Sequence, residues 1–245
     1  AIYGSRGANG VVLITTKSGM EGKPVVSFST YVGVGSVSKK IDVLQGEDYL
    51  NYMKYEREDP DYIAKHDSLQ NTPFYDWQDY LFKNSITQDY NIGIRGGTKT
   101  TKYSMSAAYT DQSGLVENSG FDRFTIRSRV DQNIGKRAKT GVNINFSKTS
   151  QDGVPSGGSK DTGADVFQQV LSYRPANVRF NSSDFDWDGE LTGDYNLQTN
   201  PHDYVTTVQN RLSSVRTTAN AYIQYDVIKD LQFKTSYNVV HLYVG

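Results

Sequence analysis

The chain has 245 residues, 36% of them hydrophobic, no cysteine and a net charge of −1, with a mean hydropathy of −0.60 and a pI near 6.4. The absence of cysteine excludes disulfide frameworks, thiolate zinc sites and cysteine nucleophiles, and the near-neutral balance, with no basic stripe along the sequence, argues against a nucleic-acid partner. No apolar run approaches the roughly 18 residues of a spanning helix or reads as a signal peptide, but a membrane strand needs only about 10 alternating residues, so the hydrophilic average leaves a β-barrel open.

The chain opens on Ala1-Ile2-Tyr3-Gly4-Ser5-Arg6-Gly7-Ala8-Asn9-Gly10, followed by Val11-Val12-Leu13-Ile14-Thr15-Thr16-Lys17. Gly4, Gly7 and Gly10 give the backbone room to turn before β-branched residues commit to a strand. A dinucleotide-binding turn would need a strand before its glycines and a helix after them, and here the order and the G-x-x-G-x-x-G spacing both differ.

Alternation then marks one strand after another. From Pro24 to Gly35, Val26, Phe28, Thr30, Val32 and Val34 oppose Ser27, Ser29, Tyr31 and Gly33. Tyr90, Ile92 and Ile94 alternate with Asp89, Asn91, Gly93 and Arg95; Tyr103, Met105, Ala107 and Tyr109 alternate with Ser104, Ser106 and Thr110. Phe124, Ile126 and Val130 face away from Arg123, Arg127 and Arg129, and Val142, Ile144 and Phe146 from Asn143, Asn145 and Ser147. A long strand from about Gln209 to Val227 sets Val215, Ala219, Ala221, Ile223 and Tyr225 against Arg216, Asn220, Gln224 and Asp226, and a seventh begins at Leu231. The connections alternate: roughly 50 residues, a Gly96-Gly97-Thr98-Lys99 turn, a loop of about 10, Gly135-Lys136-Arg137, nearly 60, then Lys229-Asp230. An up-and-down outer-membrane barrel has this asymmetry, with short periplasmic turns and long extracellular loops. The 18 tyrosines suit both strands and the aromatic girdles of such a barrel.

The long connections carry helical patterns over Gly46–Glu56, with Tyr49, Leu50, Tyr52 and Met53 on one side, over Asp76–Phe82, and over Ala164–Tyr173. Trp77, Tyr80 and Phe82 are expected to pack these loops rather than to stack on a sugar. Asp184-Phe185-Asp186-Trp187-Asp188-Gly189-Glu190 opens like a calcium loop, but Tyr195 stands where the bidentate glutamate belongs, so a carboxylate-rich surface turn is expected and no metal is assigned. His66, His202 and His241 lie apart, expected in exposed loops, and no G-x-S-x-G or H-E-x-x-H occurs. Neither an enzyme nor a cofactor is expected.

The run Ala1–Lys17 resembles, nearly residue for residue, the signature at the end of the plug domain in the SusC/RagA family of TonB-dependent outer-membrane transporters. A looser similarity covers Lys99–Gly141, where Thr101-Lys102-Tyr103, Ala108-Tyr109-Thr110-Asp111-Gln112 and Gly120-Phe121-Asp122-Arg123-Phe124 look like early barrel hairpins of that family.

The resemblance implies an all-β fold: about seven strands of a 22-stranded antiparallel transmembrane barrel, preceded by the last strand of a plug, with short helices in extracellular loops. Residues 1–20 would end the plug, with Tyr3, Gly4, Ser5, Arg6, Gly7, Ala8, Asn9 and Gly10 as its signature, and 21–245 would begin the barrel. Arg127, Arg129, Asn143, Asn145, Arg216 and Asn220 would face the lumen. The chain would then be part of a longer protein in the outer membrane of Bacteroidota-like bacteria, importing a glycan or a peptide. Its implied partners are outer-membrane lipid, a SusD-like surface lipoprotein and, through parts outside this sequence, the TonB–ExbB–ExbD complex. Other readings are a TonB-dependent siderophore or vitamin transporter, a secreted soluble β-rich carbohydrate-binding module with both strand faces buried or one apolar face packed on a second sheet, and a passive porin or adhesin.

Overall fold

The computed structural model of the chain describes Gly10 and residues 19–57, 74–153, 166–173, 175, 205–207 and 210–245. Among these, seven strands form one sheet: β1 (Gly22–Gly35), β2 (Ser85–Gly97), β3 (Thr101–Ser113), β4 (Gly120–Ile134), β5 (Ala138–Gly153), β6 (Asn210–Ile228) and β7 (Leu231–Val244). Their spatial order is their chain order and each neighbouring pair is antiparallel, an up-and-down meander. Among the described residues the connections hold the helices α1 (Gly46–Arg57), α2 (Trp77–Leu81) and α3 (Val166–Ser172).

The alternation read from the sequence sets the register. Ile92 lies opposite Phe28 and Ala107, and Ile126 opposite Ala107 and Phe146, so apolar residues meet across each pair from β1 to β5 before the row runs on to Thr217 and His241. The strands run beyond the alternating cores: β5 has 16 residues and β6 has 19, well past the roughly 10 that cross a bilayer. Extension of β3 and β4 also shortens their connection to residues 114–119, against the expected loop of about 10.

The outward apolar positions drift along the sheet. In β1 they centre on Thr30 and in β7 on Tyr237, yet the register row of Thr30 reaches β7 at Tyr243. At ~3.3 Å per residue and ~4.8 Å between strands, that offset of about six residues over six strand spacings tilts the apolar band by roughly 35° to the row direction. Strands of outer-membrane barrels tilt by about 35–45°.

The buried core lies in the connections rather than on the sheet. Trp77 and Leu81 of α2 pack with Val166 and Val170 of α3 and with Val205, flanked by Tyr75, Phe82, Val116 and Tyr173. Asp76 caps α2, its side chain accepting from Gln78 N at 3.0 Å. The buried Gln78 amide pairs with the Ile41 backbone in both directions, accepting from N at 2.9 Å and donating to O at 2.8 Å, so no polar group is stranded there. Backbone bonds from Tyr75 N to Pro175 O, Lys83 N to Leu115 O and Glu117 N to Leu81 O, all 2.8 Å, join all three connections at that end of the sheet. The opposite end closes with tight turns; Thr98 Oγ1 accepts from Thr100 N and Thr101 N at 3.2 and 3.1 Å.

Candidate functional site

The polar side chains singled out in the sequence stand together on one face of the sheet. Arg129, Asn143, Asn220 and Asn238 form one register row across β4 to β7, and Arg127 pairs with Asn145 in the next. Arg216 lies opposite Ser147 one row further along. All six residues expected to share a face therefore do. Arg127 Nε donates to Asn145 Oδ1 at 3.2 Å, and Asn220 Nδ2 donates to Asn238 Oδ1.

Strand parity adds Arg95, Lys102, Arg123, Lys139 and Lys234 to this polar face, with only Asp89, Asp131 and Asp226 as carboxylates. Asp131 ion-pairs with Arg129 at 2.7 Å; Asp89 instead accepts from Thr110 and Asp226 from Gln232, each at 2.8 Å. Arg95, Arg123, Arg127 and Arg216 have no carboxylate partner among the described residues. A chain with a net charge of −1 thus concentrates positive charge on one face, and the basic stripe that sequence reading did not find is present.

A network that sequence reasoning missed sits lower on this face. Tyr222 OH donates to Asp131 Oδ1 at 2.8 Å, reaching from β6 over β5 to β4. Arg129 holds the same carboxylate through Nε at 2.7 Å and Nη2 at 3.2 Å, and Lys234 Nζ lies 5.2 Å from the centre of the Tyr222 ring. Gly141 makes the crossing possible: a Cβ there would overlap the Tyr222 ring and lie 2.7 Å from Asp131 Oδ1. The parity of Tyr222 with Asn220 and Gln224 was the available signal; its reach across a neighbouring strand was not.

The other face is apolar and open. Phe28, Ile92, Ile126, Ile144, Val142 and Val239 are all exposed, and among the described residues no second layer covers them. Tyr90, Tyr109 and Phe124 align in one row; the next row toward the long connections holds Gln88, Asp111, Asp122, Ser150 and Ser213. Aromatic residues therefore stand where apolar surface gives way to polar surface. No described helix is long and apolar enough to cross a membrane.

Above the sheet, Tyr49, Tyr52, Tyr75, Trp77, Tyr173 and Asp76 help line a groove of about 260 Å³ between the loop helices. Trp77 packs edge-on to Tyr173 at 5.3 Å and 85°; Trp77 and Phe82 are buried or partly buried as expected, while Tyr80 is 41% exposed. Leu50 is the buried side of α1 and Tyr52 points outward. Lys40 donates to Asp79 and, at 3.4 Å, to Asp76; the Asp79 hydrogen bond, with the Asp76 charge behind it, raises the Lys40 pKa above its ordinary value.

Of the opening signature only Gly10 is described, at φ +104°, a left-handed conformation suited to glycine; Tyr3 to Asn9 lie outside the described residues, as do the Asp184–Glu190 turn, His66 and His202. His241, expected in a loop, sits instead in β7 opposite Thr217. Among the described residues no cluster of His, Asp and Glu could hold a metal ion.

No family model matches the chain. It is 32% identical over 241 residues to TonB-dependent receptor P3 of Formosa agariphila, covering 97% of this chain and 23% of that protein. It is 40% identical over 126 residues to TonB-dependent receptor SusC of Bacteroides thetaiotaomicron, covering 51% of this chain and 12% of that protein. The fold matches the RagAB peptide importer in its open-open state with a TM-score of 0.71 at 24% identity, over 98% of this chain and 30% of that one. A further structure of the RagAB peptide transporter gives 0.73 at 23%. The chain spans less than a quarter of the curated relatives it matches. With the open apolar face, the aromatic row and the tilt, these likenesses place the sheet in an outer-membrane β-barrel wall, and the chain belongs to the SusC/RagA family of TonB-dependent receptors, a class of receptors rather than of enzymes.

Proposed function

We propose that this chain is barrel wall of a TonB-dependent importer, taking up a nutrient oligosaccharide across the outer membrane. The observation that carries the reading is the sheet's division, clearest from β2 to β6, into an exposed apolar face edged by Tyr90, Tyr109 and Phe124 and a polar face of arginines and asparagines. The apolar face meets lipid; Arg127, Arg129, Asn143, Asn145, Arg216 and Asn220 line the lumen. An arginine on the lipid side would cost about 2–4 kcal/mol near the bilayer midplane, which favours this orientation. Residues 1–20 end the plug, with Tyr3 to Gly10 as its signature, and 21–245 belong to the barrel. The loop helices lie outside the cell, where a SusD-like lipoprotein covers them, and TonB–ExbB–ExbD acts from the periplasmic side. An oligosaccharide is proposed as cargo because the SusC/RagA resemblance most often implies import of a glycan fragment.

Because the stretch contains no cysteine, single cysteines introduced into the full-length receptor report each face. A water-soluble thiol reagent added to cells is expected to label Asn143→Cys once the lumen is open, whereas Ile126→Cys and Ile144→Cys should react only with a lipid-phase reagent. Labelling of all three from water would refute the orientation. Deletion of the receptor gene should abolish uptake of its oligosaccharide, and undiminished uptake would refute import.

A further inference from the structure

We infer that the imported oligosaccharide is acidic, its carboxylate or sulfate groups being met by Arg95, Arg123, Arg127 and Arg216; the inference rests on the reading that the polar face lines the lumen. These arginines lie on β2, β4 and β6 across neighbouring register rows. All four are exposed and without a carboxylate partner among the described residues. Basic side chains on this face far outnumber Asp89, Asp131 and Asp226 although the chain as a whole is slightly acidic. The opening segment does not neutralise them, because residues 1–18 contain Arg6 and Lys17 but neither aspartate nor glutamate.

The chemistry and spacing both suit an anionic chain. Guanidinium groups stay charged at every physiological pH and grip carboxylate or sulfate through two parallel hydrogen bonds. Arg123 and Arg127 stand about 13 Å apart along β4, and Arg216 lies two strand spacings from Arg127, about 10 Å across, one row away. An oligomer charged at successive units therefore passes from one guanidinium to the next. Low-dielectric walls focus such a field and raise the local concentration of counter-charged solute.

The test uses cells carrying the full-length receptor, compared with the deletion strain, in a pool of neutral, uronic-acid and sulfated oligosaccharides with neutral and acidic peptides, read by mass spectrometry of what is depleted. Expected is receptor-dependent depletion of acidic oligosaccharides, weakened by added salt, with the carboxylated and sulfated members telling which anion is preferred. Arg123→Gln/Arg127→Gln/Arg216→Gln, at matched surface level, should lower their uptake about ten-fold or more, as loss of a hydrogen bond to a charged group implies, while the corresponding triple lysine variant retains most of it. Should the glutamine variant fail to assemble, the salt dependence of the unaltered receptor and the lysine variant still decide. Preferential depletion of neutral sugars, or acidic uptake indifferent to salt and to the glutamine changes, overturns the inference and leaves import standing. Depletion of acidic peptides alone keeps the role of charge but overturns the oligosaccharide. Depletion of nothing overturns import itself and the inference with it.

Discussion

Gly141 shows how one absent side chain shapes the polar face. The Tyr222 ring crosses β5 only because nothing projects from Gly141, and the crossing delivers its hydroxyl to Asp131 beside Arg129. Gly141→Ala is expected to displace the ring and cost about 1–3 kcal/mol, the usual range for overpacking. Tyr222→Phe should cost less alone and add little to Gly141→Ala, since both remove the same contact. Urea midpoints of the refolded receptor check both, and full additivity would contradict the coupling. Lys40 illustrates a surface charge with a defined pH window. Its raised pKa means that its ties to Asp79 and Asp76 are complete below the ordinary lysine value of 10.5 and fade only as pH climbs through the higher folded value. Protease protection of the α2 connection should therefore hold from neutral pH to beyond 10; loss near pH 8 would contradict it.

At the level of elements, strands and connections rest on different forces. The strands are held by ladders and by what covers their faces, so charge on one face should be far costlier than on the other. Ile126→Lys is expected to impair membrane assembly, at about 2–4 kcal/mol near the midplane, and Asn143→Lys to be tolerated; heat-modifiable gel mobility distinguishes them, and equal tolerance would refute a lipid-facing Ile126. The connections instead share a small buried core around Trp77, 3% exposed, and Leu81, 2% exposed. Trp77→Ala should cost about 3–5 kcal/mol locally, opening the connections to added protease while the strands stay protected. Simultaneous loss of both would mean that the connections and the wall fold as one unit.

Across the whole molecule, the sheet leaves two kinds of surface unsatisfied: its apolar face, and the outer edges of β1 and β7, which pair with no strand among the described residues. Water penalises the first and lipid the second. Residues 19–245 expressed without further strands are therefore expected neither to stay monomeric in water nor to insert as protected β-structure into vesicles, judged by circular dichroism and protease digestion. Stable insertion alone would contradict this. In the full-length receptor both surfaces are covered, by lipid and by neighbouring strands.

The sequence by itself determined strand number, order and facing. Period-two alternation is a local property, and once Ile126 and Arg127 are neighbours in a strand they must face opposite ways; the short turns, such as Lys229-Asp230, and the long connections follow the same local logic. Likewise the placing of Arg127, Arg129, Asn143, Asn145, Arg216 and Asn220 on one face was legible from alternation alone. What only the tertiary structure decided depends on register and on contacts between distant segments. The slant of the apolar band, the row of Tyr90, Tyr109 and Phe124, the reach of Tyr222 over Gly141 to Asp131, and the gathering of basic side chains into one patch all arise when strands far apart in sequence are set side by side. The core joining α2, α3 and Val205 is of the same kind. Alternation tells which way a side chain faces; pairing of distant strands decides what stands next to it.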